Sequence, residues 1–254
     1  MSNRYPLVML HHAGGTAQVF EGLVRTLPAW IEPVRLELPG RGRRWRQDPV
    51  HDVQDAVSDL AAQLADAKVT GEFAVFGHSM GAYLGLSLAA RLEQAPQQPR
   101  CSVLFASANL GPLRAQPLFE GNPLRTSDDE VLRIAARFGG LAPHILEHEQ
   151  LRQHAARLFR ADSAVCDSFT RTLRHTKTES PVVVCCGSDD IFTDDQLDAW
   201  RLSSIAETEI VRFPGDHFYL DKQAEAVART VAARLSGIVT PPTDGQPATV
   251  TVSG

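Results

Sequence analysis

Phe73-Ala-Val-Phe-Gly-His-Ser-Met-Gly-Ala-Tyr83 is the stretch that decides the fold. Its first four residues form an apolar run with strand character, and Ala82-Tyr-Leu-Gly-Leu-Ser-Leu-Ala-Ala-Arg-Leu92 reads as a helix. Between them, Gly77-His78-Ser79-Met80-Gly81 fits G-x-S-x-G, a sharp strand-to-helix turn that lifts a serine Oγ out of a sheet. Glycine is needed at both ends because the backbone folds tightly around the serine. A Cβ at either flank would collide with the neighbouring strand or helix. The pentapeptide alone is a weak signal; the strand before it and the helix after it are the setting the turn requires.

Working outward, the same alternation continues on both sides. Upstream, residues 7–10 read as a buried strand, His11-His-Ala-Gly-Gly15 as a loop and 16–27 as a helix. A second strand over 34–38 stops at the breaker cluster Pro39-Gly-Arg-Gly42, and a helix covers 52–67. Downstream, strands fall at 102–106, 181–186 and 209–213, with a helix between the last two and a closing helix over 221–235. From 111 to 180 no strand is visible. That span carries a proline-rich loop and three helical stretches, about 127–138 (opened by the capping box Ser127-Asp-Asp-Glu130), 147–160 and 162–175. Strands separated by helices predict an α/β fold, a mostly parallel sheet flanked by helices on both faces. The expected organisation is a single domain over 1–236, a helical insertion over 111–180 within it, and a tail over 237–254 that reads as disordered.

Composition narrows the function classes. With 254 residues, 43% hydrophobic and 22% charged, the chain is an ordinary globular protein. A net charge of −5 argues against a general nucleic-acid binder. Cys101, Cys166, Cys185 and Cys186 lack metal-ligand spacing and read as buried small hydrophobes in a reducing compartment. Cys185 and Cys186 are strand neighbours and so point to opposite faces. The residues before the first strand carry no signal-peptide pattern, and no apolar run approaches the ~18 residues of a membrane span. A cytoplasmic protein is expected.

A nucleophilic serine needs a base, and the base needs an orienting acid. In an open parallel sheet, chemistry gathers at the carboxyl ends of the strands. The loop after the fifth strand, Gly187-Ser-Asp-Asp190, supplies carboxylates, and the loop after the sixth, Phe213-Pro-Gly-Asp-His217-Phe, supplies a histidine. The order Ser79, Asp190, His217 is the chain order of the α/β-hydrolases, with Asp190 preferred over Asp189 by its offset from the strand. His78 adjoins the nucleophile, but the turn directs its side chain elsewhere. His11 and His12 occupy the loop expected to serve an oxyanion, and Asp216 reads as a local turn residue. Two backbone amides are expected to bind the oxyanion, those of Met80 and Ala13. His144-Ile-Leu-Glu-His148 matches H-x-x-E-H, a zinc-peptidase pattern, but no third ligand accompanies it and a solvated helix start is preferred; no metal or other cofactor is expected. Arg41, Arg43, Arg44 and Arg46 read by default as a solvated basic loop, the alternative being contact with an acidic partner or phosphate.

Taken together, Ala13-Gly-Gly15, Leu38-Pro-Gly-Arg-Gly42, Gly77-His-Ser-Met-Gly81, Arg160-Ala-Asp162, Gly187-x-x-Asp190 and Gly215-x-His217-Phe218 resemble the type II thioesterases. These are free-standing editing hydrolases that accompany polyketide and nonribosomal peptide synthases. The resemblance covers about residues 5–236 and implies an α/β-hydrolase fold whose helical insertion forms a lid over an acyl channel. It places the family's serine, aspartate and histidine on Ser79, Asp190 and His217. It implies a substrate carried as an acyl group on the phosphopantetheine arm of an acyl carrier protein or peptidyl carrier protein. It departs at His11-His12, where the family commonly has a proline and an aromatic residue. A monomer is expected. The competing readings are a general carboxylesterase, an acyltransferase with the same triad, and an idle carrier-binding module.

Overall fold

Six short runs rich in Val, Leu, Phe and Ile form one parallel sheet in the computed structural model, which describes residues 4–139, 141, 143–240 and 249–250. The strands are β1 (Tyr5–Leu10), β2 (Ile31–Leu36), β3 (Glu72–His78), β4 (Arg100–Ser107), β5 (Val182–Gly187) and β6 (Thr208–Phe213), in the order β2-β1-β3-β4-β5-β6. Every pairing among them is parallel. From β1 the chain steps outward to β2 and then returns to the other side of β1 at β3. The winding direction therefore reverses between β1 and β3, which is where an open α/β sheet leaves a crevice at its carboxyl edge.

Alternation along each strand builds two apolar layers. Val8, Leu10 and Val75 face one side, against Val57 and Leu60 of α2 (Val53–Asp66), Leu84 of α3 (Met80–Leu92) and Phe169. Leu7, Met9 and Phe76 face the other, against Leu23 of α1 (Glu21–Thr26) and Val227 and Val231 of α8 (Ala224–Ser236). Each such side chain, once buried, stabilises the fold by about 1.5–3 kcal/mol. Cys185 falls in the second layer and Cys186 in the first, as the strand period requires. All four cysteines are free, and burial pushes the thiols of Cys101, Cys185 and Cys186 up to about 12.

The insertion carries α4 (Asp128–Arg137), α5 (Pro143–Glu147) and α6 (Glu149–Thr172), and α7 (Asp194–Asp198) lies between β5 and β6. Ser127 caps α4, its Oγ accepting from the Glu130 amide at 3.4 Å. Phe119, Val131, Leu132, Ala135, Ala156 and Phe159 form a third apolar cluster, with the half-buried Ala13 of the loop after β1 packed against it. The insertion thus closes over the carboxyl edge of the sheet.

Four sequence expectations need correction. The second strand begins at Ile31, not Val34, because β2 is an edge strand and an edge strand tolerates Pro33, which has no N–H to donate. The helix expected over 16–27 is a 3-10 turn (Ala17–Phe20) running into the short α1. The closing helix starts at Ala224, after a 3-10 turn over Tyr219–Asp221. The stretches read as two helices over 147–160 and 162–175 are one 24-residue helix, α6. Its polar residues Ser163, Thr170 and Thr172 sit within it because their hydroxyls donate to carbonyls one turn back, those of Phe159, Cys166 and Ser168. Past α8, Val239–Thr240 pairs antiparallel with Thr249–Val250. The rest of the stretch read as a disordered tail, 241–248 and 251–254, lies outside the described residues. Among the described residues no helix is long and apolar enough to cross a membrane.

Candidate active site

β3 and α3 meet at Ser79, which adopts φ 55° and ψ −116°. An L-residue pays for this conformation in strain, and such strain concentrates at functional turns. The flanking glycines are sterically required. A Cβ on Gly77 would lie 2.1 Å from the Gly81 carbonyl oxygen, and one on Gly81 would lie 2.1 Å from that of Leu10. β1 and β3 pair Leu10 with Gly77, so the chain leaving β1 and the turn leaving β3 emerge side by side.

The loops after β5 and β6 bring the other predicted side chains to this point. His217 Nε2 lies 3.1 Å from Ser79 Oγ, and its Nδ1 lies 3.1 and 3.2 Å from the two carboxylate oxygens of Asp190. A carboxylate only accepts, so Nδ1 carries the proton and Nε2 is left free to accept one from the serine. Both side chains are buried, Asp190 completely. The Asp190 carboxylate also accepts from the Ile191 amide at 2.7 Å and from the Cys186 thiol, which fixes its orientation. Asp189 is exposed and its side chain accepts from Ser188 Oγ at 3.3 Å, not from His217. Asp216 accepts from the Phe218 amide at 2.9 Å, a local turn contact.

The other expected residues lie beside this group. Met80 opens α3, and among the described residues its amide donates to no protein acceptor. In the loop after β1, the Gly14 amide donates to Asp162 at 2.7 Å and the Gly15 amide to the His12 carbonyl at 3.0 Å. The Ala13 amide, alone among these three, has no acceptor among the described residues. Ser79, His217, Met80 and Ala13 line a cavity of about 490 Å³. Its walls are mostly apolar, with Ile134, Ala135, Phe138, Leu141 and Phe159 from the insertion on one side and Tyr83, Leu110 and Phe192 on the other. A pocket of this kind holds an apolar ligand and fixes it by a few polar groups.

Residues 5–235 match the family model of the thioesterase domain. The chain belongs to the thioesterase domain family. This thioesterase is 28% identical over 218 residues to thioesterase TesA of Mycobacterium marinum (strain ATCC BAA-535 / M), covering 85% of each chain. Its structure matches ClbQ from the colibactin NRPS/PKS pathway with a TM-score of 0.82 at 25% identity, covering 92% of this chain and 98% of ClbQ. It matches the type II thioesterase BorB from the borrelidin biosynthetic cluster with a TM-score of 0.77 at 28% identity, covering 91% and 93%. The thioesterase has the α/β-hydrolase fold and is a thioester hydrolase, and the resemblance to type II thioesterases read from its motifs is borne out.

Three residues beside the site of the thioesterase make contacts that the motifs did not assign: Asn109 stands in no motif, Arg41 reads as part of a basic loop and Asp162 only as the end of Arg160-Ala-Asp162. Asn109 follows β4, where its Nδ2 donates to the Ser79 carbonyl at 2.9 Å and its own carbonyl accepts from Trp200 Nε1 at 2.9 Å. Its place at the carboxyl end of a strand was the available signal. Asp162 and Arg41 are both fully buried and paired by two hydrogen bonds of 2.6 and 2.7 Å. Arg41 is therefore no part of a solvated loop, and Arg44 is likewise engaged, in two 2.6 Å bonds to Asp59. Arg43 and Arg46 are exposed, the latter stacked over Trp45. The H-x-x-E-H stretch does not lie on one helix, because α5 ends at Glu147 and His148 is an extended residue capping α6.

Three histidines crowd the site without joining the serine relay. His11 donates from Nδ1 to the His12 carbonyl at 2.8 Å and accepts the Leu38 amide on Nε2 at 3.3 Å. His12 donates from Nδ1 to the Ala13 carbonyl, and His78 Nδ1 bonds Ser107 Oγ at 2.8 Å, away from Ser79 Oγ. Burial lowers the pKa of all three, that of His11 to about 3, so they fold as neutral rings. Unfolded histidines bind protons below about pH 6.5 while these do not. Their contribution is therefore complete above pH 6.5 and is lost as pH falls toward the folded values. Each proton costs on the order of 1.4 kcal/mol per pH unit over that window. Denaturant unfolding between pH 7 and 5 is expected to show steeply falling stability, with a shallower slope in His11→Gln. An identical slope in that variant would show that His11 titrates normally.

Proposed function

We propose that the protein is an editing thioesterase that frees acyl groups from the phosphopantetheine arm of an acyl or peptidyl carrier protein, with Ser79 as nucleophile. In this reading His217 Nε2 takes the Oγ proton as Oγ attacks the thioester carbonyl carbon, and Asp190 holds the resulting imidazolium. The tetrahedral oxyanion accepts from the Met80 and Ala13 amides. The C–S bond then breaks, the sulfur leaves with the proton from His217, and the acyl group stays on Ser79 as an ester. A water gives its proton to His217 and attacks that ester. Collapse of the second tetrahedral intermediate releases the acid and returns the proton to Oγ. A thiolate is a good leaving group, so proton donation to sulfur matters less here than it would for an amide nitrogen.

The observation that carries the reading is the relay of 3.1 Å contacts from Ser79 through His217 to Asp190, set beside two uncommitted amides at an apolar cavity. Membership of the thioesterase family supports the bond that is cleaved. The similarity to ClbQ, from an NRPS/PKS pathway, and to the type II thioesterase BorB supports the carrier-bound substrate, and a cytoplasmic setting is proposed with it. The protein is taken to act as a monomer.

The substrate class is tested by presenting each acyl group on a carrier protein, on a pantetheine mimic and as a simple ester. The expected result is faster release from the carrier than from the mimic, with slow ester hydrolysis. Brisk ester hydrolysis with no release from carriers would leave a carboxylesterase. Appearance of an acylated small-molecule acceptor in place of free acid would leave an acyltransferase.

A further inference from the structure

Asp162 belongs to the lid helix α6 by sequence but reaches into the loop after β1. Its Oδ2 accepts from the Gly14 amide at 2.7 Å and from Arg41 Nη1 at 2.6 Å, and its Oδ1 accepts from Arg41 Nη2 at 2.7 Å. Arg41 Nη1 also donates to the Gly15 carbonyl at 3.3 Å. The Gly14–Gly15 segment is thus held by its amide from one ion and by its carbonyl from the other. Gly15 in turn donates to the His12 carbonyl at 3.0 Å and closes the loop. With Gly14 and Gly15 tied, the orientation of the preceding peptide is fixed, and its amide, that of Ala13, stays uncommitted beside Ser79.

Stability does not account for this pair. Both side chains are fully buried, and Arg41 Nε has no partner among the described residues. Two ions desolvated this far are seldom more stabilising than apolar residues of the same volume. What they supply is geometry at one loop. Displacing a transition-state donor by about 1 Å is enough to cost on the order of 100-fold in rate.

We infer that Asp162 and Arg41 are positioning residues for the oxyanion site, a buried bridge by which the lid helix sets the direction of the Ala13 amide. The inference rests on the reading of that amide as an oxyanion donor. It also ties the acyl chamber to the chemistry. Phe159, three residues before Asp162 on α6, lines the cavity and packs over Gly14.

The test replaces the bridge with an apolar pair, Arg41→Met with Asp162→Leu, and alongside it makes Asp162→Asn, so that a failure of one to fold leaves the other to decide. Thermal melts establish which variants are folded. In a folded variant, kcat for an acyl-pantetheine thioester is expected to fall about 100-fold with KM unchanged within about threefold. Affinity for an acyl trifluoromethyl ketone, whose adduct with Ser79 carries an oxyanion, is expected to fall by a similar factor. A merely structural role would move melting temperature without this split. Folded variants with wild-type kcat and ketone affinity would overturn the inference. Ser79→Ala assayed in parallel separates the two levels: activity surviving in it would sink the underlying reading, whereas a dead Ser79→Ala beside normal bridge variants would sink this inference alone.

Discussion

His217→Ala is expected to lower kcat for thioester hydrolysis by about 10⁶-fold, Ser79→Ala by about as much, and the double variant no further. The reason is the relay. Nε2 lies 3.1 Å from Oγ, and Oγ is a poor nucleophile until its proton has somewhere to go. Without the imidazole the hydroxyl remains protonated at neutral pH, and without the hydroxyl the imidazole has no proton to take. Each variant therefore loses the same step, and their free energies cannot add. Asp190→Asn is expected to cost less, about 10⁴-fold, because the ring stays in place while the preferred tautomer changes. The residual rate in all of them is expected to come from the proposed oxyanion amides and the cavity. Single-turnover rates with an acyl-pantetheine thioester measure this directly. A double variant much slower than either single one would mean that the two side chains act in separate steps.

Breaking the Arg41–Asp162 pair from one side is expected to be the most destabilising change outside the apolar core. Either Arg41→Met or Asp162→Leu leaves an ion fully buried with its partner gone, which costs about 3–5 kcal/mol. Asp162→Leu also strands the Gly14 amide, a further unsatisfied donor. The double variant buries no charge and is expected to recover most of that loss. Urea unfolding of the four proteins gives the coupling energy as a thermodynamic cycle. Additive losses in the double variant would show that each ion is held by other groups. The same cycle read in kcat rather than in unfolding should show no recovery, because an apolar pair restores packing and not the hydrogen bonds to the loop.

What was legible in the sequence follows from how local each signal is. Ser79 was legible because the strand, the turn and the helix are contiguous, and the glycines are demanded by contacts of 2.1 Å. Asp190 and His217 lie far along the chain from it. A parallel sheet gathers the carboxyl ends of its strands, so the order of strands was enough to bring them to one edge. Arg41 was misread for the opposite reason. A run of four arginines within six residues has no periodicity, and only the fold separates the buried Arg41 from the exposed Arg43 and Arg46. Asp162 carried a signal that was passed over. It sits among Leu158, Phe159, Val165 and Phe169 at helical spacing, so a continuous α6 had to bury it, and a buried carboxylate demands a cation. Reading a helix break at that point hid the demand. Pro33 hid the start of β2 in the same way, since a proline breaks an inner strand and not an edge one.

The measurement that bears most directly on the account is release of free thiol from acyl-loaded carrier protein by the wild type and by Ser79→Ala. The wild type is expected to release thiol stoichiometrically with free acid, and Ser79→Ala to lose that activity by at least about 10⁴-fold while melting at the wild-type temperature. Thiol release that persists in a folded Ser79→Ala protein, or a wild type that releases no thiol from any loaded carrier, would contradict it.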